Sequence, residues 1–159
     1  MPRLSCWFIK AALLHLAIGV VMGGLILSAK GVPATFGWAW VLLSAHIQLL
    51  VGGWLVQLAL GMAYWMLPRR DAAGDRGRPA AAWACWGALN TGVVGAAGAL
   101  GLCSFVNGAW FDALLVLAAL LQLVALVAFA WHAWPRLQPI VVPTPTAPQR
   151  PAQRPPRSA

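Results

Sequence analysis

The residues of this chain with the most chemical potential are its three histidines, His15, His46 and His132, all of which fall inside long apolar stretches. An ionisable side chain in hydrocarbon is costly and marks a functional candidate. Neutral imidazole is also a frequent ligand of haem iron and other metals. At 3.6 residues per turn, Gly53, Gln57 and Tyr64 share one helical face with His46. Gly53 offers a flat patch on which a planar cofactor can lie, and Gln57 and Tyr64 can bond its polar edge or line a polar path. The same stripe reads equally as a set of interhelical hydrogen bonds, and the spacing does not choose between the two. His15 has Gly19 one turn away and Met22 on the same face. His132, within Trp131-His132-Ala133-Trp134, reads either as an interfacial residue or as a partner of His15 if the first and last helices are neighbours. His46 is expected near the opposite surface, roughly 20 Å from His15 at 1.5 Å rise per residue.

Other chemistries find no support in the residue types. The chain has no Glu, and its three Asp residues (Asp71, Asp75 and Asp112) form no carboxylate pair for general acid–base work. Its serines lack an adjacent base and acid, and no phosphate-binding loop is present. Cys6, Cys85 and Cys103 form no CxxC motif, and disulfide chemistry is not implied. Cys85 and Cys103 read as small apolar packing residues; Cys6, near the expected membrane surface, is a palmitoylation candidate.

The elements that must position the histidines follow from composition. The 159-residue chain is 61% hydrophobic and 9% charged, too few charges to cover a water-facing surface. About 20 apolar residues cross a bilayer as a helix, and four stretches qualify: 7–29, 38–67, 80–105 and 110–134. Strand-like alternation is missing, so the expected fold is all-α: an integral membrane four-helix antiparallel bundle over residues 1–136. Residues 137–159, rich in Pro, Gln and Arg, read as a disordered basic cytoplasmic tail. The first stretch is too long for a signal-peptide core and is expected to be retained.

The net charge of +8 is explained by orientation before nucleic acid, for which no motif is present. Arg3 and Lys10 precede the first span, Arg69, Arg70, Arg76 and Arg78 lie between the second and third, and Arg136, Arg150, Arg154 and Arg157 follow the fourth; Lys30 alone is on the other side. The positive-inside rule then puts both termini in the cytoplasm, in an inner (plasma) membrane. Trp residues near the span ends form the aromatic belt. Gly19-x-x-x-Gly23 and the row Gly92, Gly95, Gly98, Gly101 predict close helix contacts, with the third helix central or at a dimer seam. Gln122 is expected to bond a neighbouring helix.

The run Ala45-His46-Ile47-Gln48-Leu49-Leu50-Val51-Gly52-Gly53-Trp54, followed by Gly61-Met62-Ala63-Tyr64 and Leu67-Pro68-Arg69, resembles a helix of haem–copper (cytochrome c) oxidase subunit I and of the related NnrS-type membrane proteins. The stretch from Leu120 to Trp134-Pro135-Arg136 is similar to a terminal helix of that group, and the third helix, with Asn90 and Gly92, more loosely so. The resemblance implies haem b with His46 as an axial ligand. The further histidines of a second haem and copper are missing, so no oxygen-reducing centre is implied, and the second axial position would be left to a symmetry mate, a partner subunit or five-coordinate iron. Three readings stand: a small haem-b-binding or respiratory-chain-associated protein, a non-catalytic membrane subunit or assembly factor without cofactor, and an oligomeric channel or transporter. The expected partners are the lipid bilayer and either further copies of the chain or respiratory-chain subunits.

Overall fold

A computed structural model describes residues 1–68, 78–103, 105–106, 108 and 110–137. The expected basic loop at Arg69, Arg70 and Arg76 and the expected tail from residue 138 lie outside the described residues.

The described residues are helical, with no strand among them, and four helices are long and apolar enough to cross a membrane: α1 (Arg3–Gly31), α2 (Pro33–Met66), α3 (Pro79–Leu102) and α4 (Trp110–Arg136, its last turn Trp134–Arg136 a 3₁₀ turn). Helix α1 begins four residues earlier than the sequence suggests, because nothing between Arg3 and Trp7 breaks a helix and Cys6 N–H already bonds the Pro2 carbonyl at 3.3 Å. Only Val32 separates α1 from α2. Its N–H closes α1 on the Ser28 carbonyl at 2.9 Å, and Pro33, with its preset φ and missing donor, opens the next helix. The second span therefore starts at Pro33 rather than residue 38.

Helix α2 is not uniform. It passes through a 3₁₀ stretch (Gly37–Leu42), an α-helical turn (Leu43–Gln48), a π-helical stretch (Leu49–Val56) and a regular α-helix (Gln57–Met66). The i→i+5 bonds of the π stretch place more residues in each turn than an α-helix holds, so residues on either side of it no longer keep one 3.6-residue stripe.

Contacts between α1 and α2 run Phe8 with Gly61, His15 with Gly53, Gly19 with Leu50 and Gly23 with His46, one position rising as the other falls. Helix α3 packs on α2 and, most extensively, on α4, while among the described residues α1 and α4 form no packed interface. Helix α3 is the most enclosed: 39% of its most apolar window is buried, against 17% for α4. The small residues explain this. Gly92 lies so close to α4 that a Cβ there would sit 2.8 Å from the Ala118 carbonyl oxygen and 2.8 Å from Gln122 Cγ, and Gly95 makes ordinary contact with Ala118. Gly98 and Gly101 face open space, so only the first half of the expected glycine row forms the seam. Phe8, Leu89 and Val93 fill the centre, while Leu13, Val20, Leu117, Leu120, Leu123 and Val127 point outward. So many exposed large apolar groups suit a lipid surroundings and not water.

Gly92→Ala is expected to destabilise the fold by about 1–3 kcal/mol, because the opposing Ala118 carbonyl and Gln122 amide nitrogen are backbone and cannot swing away. Gly98→Ala and Gly101→Ala are expected to be neutral or slightly stabilising. Unfolding of the three variants in mixed micelles checks the contrast.

Candidate functional site

The polar side chains of the interior are distributed over three interfaces. Between α1 and α2, two imidazoles lie against glycines of the facing helix. His15 Nδ1 is 3.2 Å from the Gly53 carbonyl oxygen, and His46 Nδ1 is 2.8 Å from the Gly19 carbonyl oxygen. A carbonyl only accepts, so each Nδ1 carries the proton and each Nε2 of the neutral ring keeps its lone pair. The rings are seated tightly: a Cβ at Gly53 would lie 2.7 Å from His15 Cγ, and one at Gly23 would lie 2.8 Å from His46 Cε1. The glycine faces that can seat a planar cofactor are thus taken by side chains of the opposite helix. Gly53 also sits in the π stretch, where the loosened ladder leaves room for a side-chain donor to reach a carbonyl.

Between α2 and α3–α4 the partners are amides. Gln48 Nε2 donates to Gln122 Oε1 at 2.9 Å, and Gln57 Nε2 donates to Asn90 Oδ1 at 3.1 Å. Asn90 Nδ2 in turn donates to the Trp86 carbonyl at 2.7 Å. Gln122 therefore does what its position in an apolar helix suggests and bonds a neighbour. Gly52 makes this approach possible, because a Cβ there would lie 3.2 Å from Gln48 Nε2 and 3.4 Å from Gln122 Oε1.

The third interface is at the ends of α2 and α4. Arg136, only 3% exposed, donates from Nε to the Pro68 carbonyl (3.0 Å) and from Nη2 to the carbonyls of Leu67 (2.7 Å) and Tyr64 (3.3 Å). Arginine has no acceptor, so the 3.4 Å contact of Nη1 with His132 Nε2 makes that nitrogen the acceptor. The guanidinium carbon is 5.5 Å from the Tyr64 ring centroid, and Tyr64 stacks on His132 at 5.4 Å. A cation held on the last carbonyls of a helix satisfies groups with no intrahelical donor and meets the negative end of the helix dipole.

The six residues picked out by type and spacing are divided among these three interfaces. Gly53, Gln57 and Tyr64 are all buried on α2, and His46 is half-buried there. Gly53 and His46 address α1, Gln57 addresses α3 and Tyr64 addresses α4. The single stripe fails because the π stretch turns the second half of α2 relative to the first. The expected 20 Å separation of His15 and His46 also needs correction. His46 contacts Gly19 and Gly23, four and eight residues beyond His15, which is roughly 6–12 Å along α1. The earlier start of α2 carries His46 deeper than expected. The structure does not bring His15 and His132 together, since α1 and α4 are not packed neighbours. Among the described residues, no group of three or more His, Cys, Asp or Glu side chains could hold a metal ion. Gln48, Asn90 and Arg136 were not singled out as site residues by sequence. The first two are visible in hindsight as amides within apolar helices, whereas Arg136 looks like an ordinary positive-inside charge.

No family model, curated protein or solved structure matches the chain.

Arg136→Ala is expected to cost about 1.5–3 kcal/mol, the scale of hydrogen bonds to a charged group. Arg136→Lys should recover only part of this, because one ammonium cannot span carbonyls that the fork reaches together. A double-mutant cycle on Gln48→Ala and Gln122→Ala should give a coupling of about 0.6 kcal/mol, and no more than about 1.7, by unfolding in micelles.

Proposed function

We propose that the chain is a non-catalytic membrane subunit or assembly factor, a four-span antiparallel bundle in an inner (plasma) membrane with both termini cytoplasmic. The observation that carries this reading is the use of His15 and His46 as interhelical hydrogen-bond donors, each filling the glycine face of the helix opposite. Imidazoles spent on backbone carbonyls across a closed interface serve assembly. The outward-facing Leu and Val side chains of α1 and α4 suit lipid or the apolar spans of partner subunits. Respiratory-chain subunits are the partners that the resemblance to oxidase subunit I suggests. The orientation rests on Arg3 and Lys10, on Arg69, Arg70, Arg76 and Arg78, and on Arg136, Arg150, Arg154 and Arg157, set against Lys30. Reporter fusions are expected to place the C-terminus in the cytoplasm and an insertion at Val32 outside; the reverse pattern would overturn the orientation.

A haem-b protein is the second reading. It is favoured by the tautomer of His46: Nδ1–H on a carbonyl with the Nε2 lone pair left over is how ligating histidines are commonly oriented. A reduced-minus-oxidised visible spectrum of protein made with ample haem separates the two readings. The assembly reading expects no b-type bands. Bands that disappear in His46→Ala would replace it with the haem reading.

A further inference from the structure

Three polar atoms in the interior have no hydrogen-bond partner among the described residues and lie away from lipid: Ser5 Oγ, Gln57 Oε1 and Trp86 Nε1. Ser5 and Gln57 are 0% exposed. The orientation of the Gln57 amide is forced. Asn90 must present Nδ2 to the Trp86 carbonyl, which leaves its Oδ1 facing Gln57, and Gln57 must answer with Nε2. Turning either amide would set oxygen against oxygen. Gln57 Oε1 is therefore a buried acceptor that no rearrangement of this pair satisfies.

The three atoms belong to three helices but to one layer. Gly61, one turn beyond Gln57, faces α1 so closely that a Cβ there would lie 2.6 Å from Phe8 Cβ and 3.6 Å from the Ser5 carbonyl oxygen. Trp86 is one turn from Asn90, the partner of Gln57, and its ring meets Trp7 edge-on at 5.9 Å. The layer is thus about two helical turns deep, roughly 10 Å. It contains an acceptor (Gln57), an obligate donor (Trp86) and a hydroxyl that serves as either (Ser5). Hydrocarbon offers none of them a partner.

We infer that this layer is an internal hydration site, in which a short chain of waters donates to Gln57 Oε1, accepts from Trp86 Nε1 and bonds Ser5 Oγ. Water is the ligand class because the set calls for a small neutral molecule with both donors and acceptors, and buried waters typically make about three such bonds. No charged group is among the three atoms, so an ion gains nothing there over water.

The test is a water-to-indole magnetisation-transfer experiment on the full chain in lipid nanodiscs with ¹⁵N-labelled tryptophan, the Trp86 signal being assigned by its loss in Trp86→Phe. The expected result is a cross-peak between the Trp86 indole N–H and long-lived water that is lost in Gln57→Leu or Ser5→Ala. Ser5→Ala removes only a hydroxyl and carries the comparison should Gln57→Leu not fold. Absence of the cross-peak in the unmodified chain, or its persistence unchanged in both variants, would overturn the site.

Discussion

Most of the interior answers to one constraint: apolar surroundings offer a polar group no partner, so it finds one on a facing helix, on its own backbone or in enclosed water. The two imidazole–carbonyl contacts between α1 and α2 are the most economical solution. Each uses a backbone acceptor already engaged in its own helix but with a second lone pair to give, and each needs only that the facing residue lack a side chain. Gly53 beneath His15 and Gly23 beneath His46 meet that need, while Gly19, whose carbonyl His46 bonds, makes room for Leu50. Larger residues at those positions would push the helices apart and leave both rings without partners.

The same constraint shapes the rest of the interior. Gln48 and Gln122 meet where Gly52 and Gly92 let three helices converge, and Gln57 meets Asn90 one layer further along. Helix α3 is the common wall for these contacts, which is why small residues crowd it and why it is the most enclosed span. Helix α4 depends on α3 for nearly all its packing and on Arg136 for its attachment to α2.

The spans were legible in the sequence because they rest on composition alone, which no tertiary contact overrides. Gln122 was legible because an amide in a Leu-rich helix has few options. The register of α2 was not. A stripe drawn from His46 to Tyr64 assumes 3.6 residues per turn throughout, and the π stretch around Gly52–Gly53 breaks that assumption with a backbone change that leaves no mark on residue pattern. The capping role of Arg136 is hidden for a related reason. As one of eleven basic residues it fits the charge rule, and only the position of the α2 carbonyls shows that it also caps a helix. His132 follows from Arg136, since its Nε2 is held by the guanidinium rather than aimed at His15.

The distance in sequence between Arg136 and the carbonyls it caps, 68 to 72 residues, has a bearing on biogenesis. The end of α2 leaves the ribosome long before its guanidinium does, by several seconds at about 5–20 residues per second. Until the last turn of α4 is made, the Tyr64, Leu67 and Pro68 carbonyls must rely on headgroup water. The first hairpin can close on its own histidines at once, but the second half of the molecule locks only once Arg136 has been made. A nascent chain halted before Arg136 therefore presents an open helix end, with the Tyr64, Leu67 and Pro68 carbonyls lacking the cap that holds α4 to α2.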